Sequence, residues 1–574
     1  LLATQRLLRY HYETRNERNI MKKKALFSRI LCLFLIILTL PLFVTHSAAY
    51  QPAYSNVIVG IFYGANALPG ANLQNVTGCG AGYEFGMLDS NRQFVPIGAQ
   101  TSETKISMLR DRNMVYKDGQ YVAGTDGSVV VGCFHIQLNT PYATYDEAAA
   151  QAQLYSGGFV KYSFGKFYVC VGEYLSQQEA NDAIVSRGFI DASITSGTTD
   201  TVVVVATGTD RILLEYENGS SSALVVRPIS SDGTKPQTWF RGFRYYGMFQ
   251  YIRVGGGDLT VLNIVDIEDY VKGVLPYEMA NTWPLEALKA QAVCARTYVA
   301  AYKGKHGIFD VCTTEDCQVY RGTGQANAVT DRAVDETAGQ YLIHNGSLAV
   351  AYYSSSNGGA SENSENVWPN AVPYLRGVMD PYEATVAAQI PNYSWTVTYT
   401  REEITQRLRN RGYNCGTIVS MSIAETTPTG NVFKITLKDE NGRSFTFTKG
   451  EIVRSILGVR SIRFTINDFT GDKLVFVDEG GTLGSVLAQA YAIGKDLFAS
   501  LLGRNDVYAI NGKGEKVIVG KSDSDEPSDI FVIKGTGHGH NVGMSQWGAY
   551  SMALHHSMTY REILAFYFTG VTIE

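Results

Sequence analysis

Glu278 is the ionisable carboxylate in the run Pro276-Tyr277-Glu278-Met279, five residues before Trp283. Among such apolar and aromatic neighbours, desolvation raises the pKa of a carboxylic acid and keeps it protonated, as a general acid must be. Taken alone, the same stretch also fits a solvated loop glutamate. Two further groups of residues carry chemistry: His306 with Cys312 and Cys317, and the pair His538 and His540 inside a glycine-rich run. Cys-x4-Cys beside a histidine suits zinc, or a disulfide in an oxidising compartment. His538 and His540 would hold a metal only if other ligands converged on them.

The elements that must position Glu278 read as helix, break, helix across residues 266–304. Asp266 is placed to cap a short first helix, and Pro276 is expected to end or kink it, leaving Glu278 in the break. Pro284 suits the first turn of a second helix, along which Leu285, Leu288, Ala292, Ala295 and Val299 recur at helical spacing. Alternating strands over 200–260 run into this stretch without a linker. A similar strand-rich pattern with short helices fills 385–470, Ser485–Leu502 reads as a helix, and the chain ends in a Gly/His-rich loop (535–548) and two short helices. The class expected is α+β: a β-rich multi-domain body with a helical subregion around a cleft.

With 574 residues, 57 glycines and 36 tyrosines, the chain has room for two to four domains and leans to β structure. Residues 1–20 hold no core pattern and read as upstream translation. From Met21, a Lys22-Lys23-Lys24 start, an apolar run and small residues to Ala49 read as a cleaved secretory signal; an uncleaved anchor is the rival. Removing 1–49 leaves 41 Lys and Arg against 52 Asp and Glu, net −11, which opposes a nucleic-acid partner. Seven cysteines remain, at widely spaced positions, and they do not form a disulfide framework; Cys294 reads as a small buried residue.

Residues 129–190 read as strand, helix, strand, strand, helix, with Ser176 before Gln177-Gln178-Glu179 as a helix start. That order, and Phe167 to Ile184 in particular, resembles the SPOR domain, a module that binds peptidoglycan glycan strands stripped of stem peptides. Four separated segments carry a second, longer resemblance: 274–299 around Pro276-Tyr277-Glu278-Met279, 352–378 around Ser354-Ser355-Ser356-Asn357-Gly358-Gly359, 451–466, and 535–553 around His538, His540 and Gln546. Together they resemble the SpoIID/LytB family over about 200–574. The divisions implied are 50–125, a small β-rich region; 126–195, a SPOR-like module; and 196–574, a SpoIID/LytB-like domain with its helices around a glycan-binding cleft.

The resemblance implies a secreted or wall-bound peptidoglycan lytic transglycosylase, acting on glycan strands with Glu278 as the catalytic residue. It also admits a non-catalytic enhancer of a partner cell-wall amidase. The chemistry needs no second carboxylate, because the substrate's own C6 hydroxyl is the nucleophile. By position, the resemblance places Ser354, Ser355, Asn357, His538, His540 and Gln546 against the sugar. Arg296, on the second helix, is a candidate donor, with a pairing to Glu286 or another acid as the alternative; Glu286 reads as a solvated partner of Lys289. Trp368 is either a sugar platform or a buried core residue. A serine-nucleophile site lacks its motif. No cofactor is required for the reaction, but a structural zinc at His306, Cys312 and Cys317 is implied, with Asp316 standing where a nitrogen ligand would be wanted.

Overall fold

The computed structural model describes residues 50–468 and 530–574, apart from Gln51 and Ala53, and the backbone of six short strands between them. The signal and upstream segments, 1–49, lie outside the described residues. Two large sheets organise the rest. A seven-stranded sheet runs Val311–Cys312, Asn56–Phe62, Leu259–Asp266, Met248–Arg253, Leu224–Ser230, Gly80–Leu88, Phe94–Thr101. A ten-stranded sheet begins with Ala192–Ser196, Phe134–Leu138, Lys166–Tyr174 and Gly158–Ser163, then continues through Ile212–Glu217 and Val202–Ala206 to Lys105–Arg110, Gly70–Asn75 and the hairpin of Thr238–Phe240 and Phe243–Tyr245. The mixture of sheets and separate helices is the α+β class expected from the sequence.

Strands from 56–110 and from 202–266 are hydrogen-bonded neighbours within both sheets, so chain segments distant in sequence close one core. Val57 faces Val265 and Val59 faces Asn263 in antiparallel register, while Val59 also pairs in parallel with Val311. Residues 134–196 form a βαββαβ unit, one strand more than its sequence pattern showed. Its strand Gly158–Ser163 joins Ile212–Glu217 in parallel, so the unit is an extension of the larger sheet. Residues 394–468 with 530–536 build a satellite core on Trp395, Ile404, Leu408, Ile435, Leu437, Val453 and Ile533. Its strands and two helices follow the alternation read from the sequence. The helix expected over Ser485–Leu502 is not what the described backbone forms there: Tyr491–Gly494 and Leu497–Ser500 are paired antiparallel strands. The remainder of that stretch lies outside the described residues.

The helix that carries Glu278 spans Ile267–Glu278, capped by the Asp266 side chain accepting from Glu268 N at 2.9 Å. It runs through Pro276 without ending there. The missing proline N–H costs about 3 kcal/mol in a helix interior. Tyr270, Val271, Val274 and Leu275, all fully buried, return about 1.5–3 kcal/mol each for the aliphatic members alone. Packing therefore wins, and the chain leaves the helix only after Glu278. The second helix, Leu285–Ala301, is buried on every face from Ala287 to Ala300 except at Lys289. Its alanines let the helices Ala328–Asp335, Gln546–His555 and Tyr560–Tyr567 approach closely.

Candidate functional site

Glu278 is the last helical residue, not a residue of a break, and its half-buried carboxyl is held by two hydrogen bonds from distant segments. Val319 N–H donates to Oε1 at 2.7 Å, and Gln546 Nε2 donates to Oε2 at 3.3 Å. The Tyr353 hydroxyl lies near it and favours its charged form. That hydroxyl accepts from Gln318 Nε2 at 2.9 Å, and Gln318 Oε1 accepts from the buried Tyr270 hydroxyl at 3.0 Å, so a polarised chain of hydrogen bonds runs from Tyr270 to the hydroxyl beside the carboxylate. Burial raises the Glu278 pKa; the Val319 and Gln546 bonds oppose this, the charge of Glu315 adds to it, and the Tyr353 hydroxyl opposes it. Burial prevails. The negative end of the helix dipole, where Glu278 sits, acts in the same direction as burial.

Gln546 opens the helix Gln546–His555, which Ser545 caps by accepting from Gly548 N at 3.1 Å. The short strand Met544–Ser545 pairs in parallel with Tyr353–Ser354, which brings Gln546 and Tyr353 to the same carboxylate. Ser354 and Ser355 line this junction half-buried, and Ser355 O accepts from Trp547 N at 3.1 Å. Gly539 holds φ at +138° with Ser354 directly against it, where a Cβ would sit 2.3 Å from the serine Cβ. Only glycine lets these two segments come together.

His538 is exposed, with its pKa lowered by burial of part of its ring and by Arg460. His540 is packed 5.0 Å from the Trp368 ring, and burial pushes its pKa down to about 4. Its Nδ1 accepts from Val542 N at 3.0 Å, so the neutral ring carries its proton on Nε2. His538 and His540 are not part of a metal-ligand cluster among the described residues.

Asn357 is buried and fully engaged. Its N–H donates to Glu383 Oε1, its side-chain amide donates to Asp380 Oδ2, and its side-chain oxygen accepts from Gly359 N. It shapes the loop rather than facing a ligand. Arg296 requires a correction. It is fully buried, with Nε and Nη2 on the Glu268 carboxylate at 2.8 and 2.6 Å, and bonded to the Val334 and Gln340 carbonyls. Arg296 is spent tying two helices together and has no donor left for a cleft; its partner is Glu268, not Glu286. Glu286 does pair with Lys289, as read from their spacing. No sequence signal points to Val319 or to the Tyr270–Gln318 hydrogen bond, whereas Tyr353 directly precedes the Ser354 segment.

His306, Cys312, Asp316 and Cys317 bring their ligand atoms within 4.8 Å of one another. His306 Nε2 is 3.2 Å from Cys317 Sγ and 3.5 Å from Asp316 Oδ2, and that oxygen is 3.9 and 3.8 Å from the two sulfurs. Ligands at zinc bond lengths of about 2.0–2.3 Å in a tetrahedron are about 3.3–3.8 Å apart, so the donor set fits. Asp316, expected to be the wrong ligand type, supplies a carboxylate oxygen that zinc accepts. The Cys312 and Cys317 thiols are not joined, and their mutual proximity lowers the Cys312 pKa while raising that of Cys317. Gln318 and Val319, which reach Tyr353 and Glu278, follow Cys317 directly.

A family model described as stage II sporulation protein (SpoIID) matches residues 255–344, the segment that holds Glu278 and the four-ligand cluster. The chain is 34% identical over 337 residues to an uncharacterized protein of Brachyspira hyodysenteriae, covering 58% of this chain and 73% of that one. The chain belongs to the SpoIID family. It is also similar to the stage II sporulation protein D of Bacillus subtilis, 26% identical over 329 residues, 54% of this chain and 75% of that protein. To the Bacillus subtilis amidase enhancer it is 32% identical over 309 residues, 53% of this chain and 40% of the enhancer, so the match spans less than half of that relative.

Proposed function

We propose that this protein is a peptidoglycan lytic transglycosylase. It cleaves the β-1,4 bond between N-acetylmuramic acid and N-acetylglucosamine in strands free of stem peptides. The observation that carries the reading is Glu278: a carboxyl whose pKa is raised by burial, steadied by two hydrogen bonds, in a chain of the SpoIID family. Its proton passes to the glycosidic oxygen as the muramyl C1–O bond breaks. The C6 hydroxyl oxygen of the same sugar bonds to C1, and its proton returns to the Glu278 carboxylate. Atoms and charge balance without water, and the 1,6-anhydro end forms with the effective-molarity advantage of an internal attack. Val319 N–H, Gln546 and Tyr353 stabilise the transient carboxylate, so that proton donation is not opposed by a bare buried charge.

His306, Cys312, Asp316 and Cys317 would hold a zinc ion that fixes the loop ending in Gln318 and Val319. The ion's part is structural. The βαββαβ unit at 134–196 would add a hold on the glycan, and the 21–49 signal would take the chain to the wall. No helix among the described residues is long and apolar enough to cross a membrane. The second reading, an enhancer that holds glycan for a partner amidase without cutting, is favoured by one observation, the 32% identity to the amidase enhancer. The two separate on incubation with peptide-free strands: anhydro-muramyl products mark the enzyme, and binding without products marks the enhancer.

A further inference from the structure

The helix Gln546–His555 turns Gln546, Gly548, Ala549, Ser551 and Met552 into the protein. Its other face presents Trp547, Tyr550 and Leu554, with Leu554 47% exposed. A soluble helix places polar residues on such a face. Trp547 and Tyr550 are half-buried, yet neither belongs to the main core or its packed margin. What they touch is Trp283, from the turn after Glu278: ring centroids lie 4.7 Å apart for Trp283 and Trp547, 4.9 Å for Trp283 and Tyr550, and 5.2 Å for Trp547 and Tyr550. Tyr550 is tethered at its outer edge by a hydroxyl bond to Gln389. The group is fixed at both ends by the site, since Trp283 follows Glu278 by five residues and Trp547 follows the glutamine that touches its carboxylate.

We propose that Trp283, Trp547 and Tyr550 form a stacking subsite for a pyranose ring of a polysaccharide strand, one that lies beside Glu278. This rests on the glycan reading of the Glu278 site. The axial face of a pyranose is a patch of C–H bonds, apolar and weakly positive, and it matches the negative face of an aromatic ring. Rings held by one another and by a backbone bond (Trp547 N to Ser355 O) lose little freedom when a sugar docks. A hydroxyl-rich strand needs such apolar platforms, because its hydrogen bonds alone only replace those it makes with water.

The test uses the full chain carrying Glu278→Gln, which holds strands without turnover, and titrates it with soluble peptide-free glycan strands by calorimetry and tryptophan fluorescence. In that background Trp547→Ala is expected to weaken binding about ten-fold, while Trp547→Phe, which keeps a ring, retains most of it. Circular dichroism and unfolding temperature confirm that each variant is folded. Should Trp547→Ala not fold, Tyr550→Ala, further along the same face, carries the same expectation. Unchanged affinity in a folded Trp547→Ala or Tyr550→Ala protein overturns the subsite and leaves the reading of Glu278 standing. If the Glu278→Gln parent itself binds no strands, the glycan reading fails before any ring is changed, and the subsite fails with it.

Discussion

Gln546 Nε2 donates to Glu278 Oε2, joining the first residue of one helix to the last residue of another 268 positions earlier in the chain. The bond favours the charged carboxylate and opposes the effect of burial. Replacing Gln546 with leucine should raise the Glu278 pKa further. Glycan cleavage should slow about ten-fold, the scale of one lost hydrogen bond to a charged group. A pH–rate profile of the variant checks both, and a profile identical to wild type would remove Gln546 from the site.

Glu278 makes activity and stability depend on pH in linked ways. As a general acid it must start protonated, so activity falls on the alkaline side as it ionises, at a pH above that of an exposed glutamate. For stability, a carboxyl with a raised folded pKa binds its proton more tightly in the folded state, so stability is lost as pH rises from the unfolded pKa through the folded one. Glu278→Gln should therefore raise the unfolding temperature at about pH 7 and leave it unchanged at about pH 4, where the wild-type carboxyl is protonated too. Thermal unfolding at the two pH values measures this.

The four-ligand cluster predicts one bound zinc per chain. Elemental analysis of purified protein should find it. Cys317→Ser should lose most of it and unfold at a lower temperature, and chelator should lower the wild-type unfolding temperature in the same way. A protein with no metal and two fewer titratable thiols under denaturing conditions would instead point to a Cys312–Cys317 disulfide.

Arg296 and Glu268 give a structural prediction. Glu268→Gln leaves a fully buried guanidinium without its anion and should cost on the order of 3 kcal/mol of stability. Denaturant unfolding reads the loss. A stable variant that had lost only glycan binding would return Arg296 to the cleft.

The parts of this protein legible in its sequence are those set by local pattern. Asp266 as a cap and the strands of 394–466 follow from spacing and alternation alone. Pro276 was misleading because a local rule, the missing N–H, is weaker than the burial of Val271, Val274 and Leu275 around it. Of the two roles open to Arg296, the pairing with an acid is the one found, but its partner Glu268 lies 28 residues away, out of reach of helical spacing. The partners of Glu278 show the same limit more strongly. Gln546 stood in a segment marked by resemblance, but Val319 acts through its backbone N–H, which no side-chain pattern announces. Asp316 beside Cys317 had the wrong identity for an expected nitrogen ligand, and only the distances among the four donors show that a carboxylate oxygen fits there.

If Glu278 performs the cleavage, one substitution abolishes it. Wild-type protein and Glu278→Gln are incubated side by side with peptide-free glycan strands, and the products are weighed by mass spectrometry. The wild type should yield 1,6-anhydro-muramyl ends and the variant none, with strand binding retained by both. Anhydro ends released equally by both proteins, or by neither, would contradict this role of Glu278.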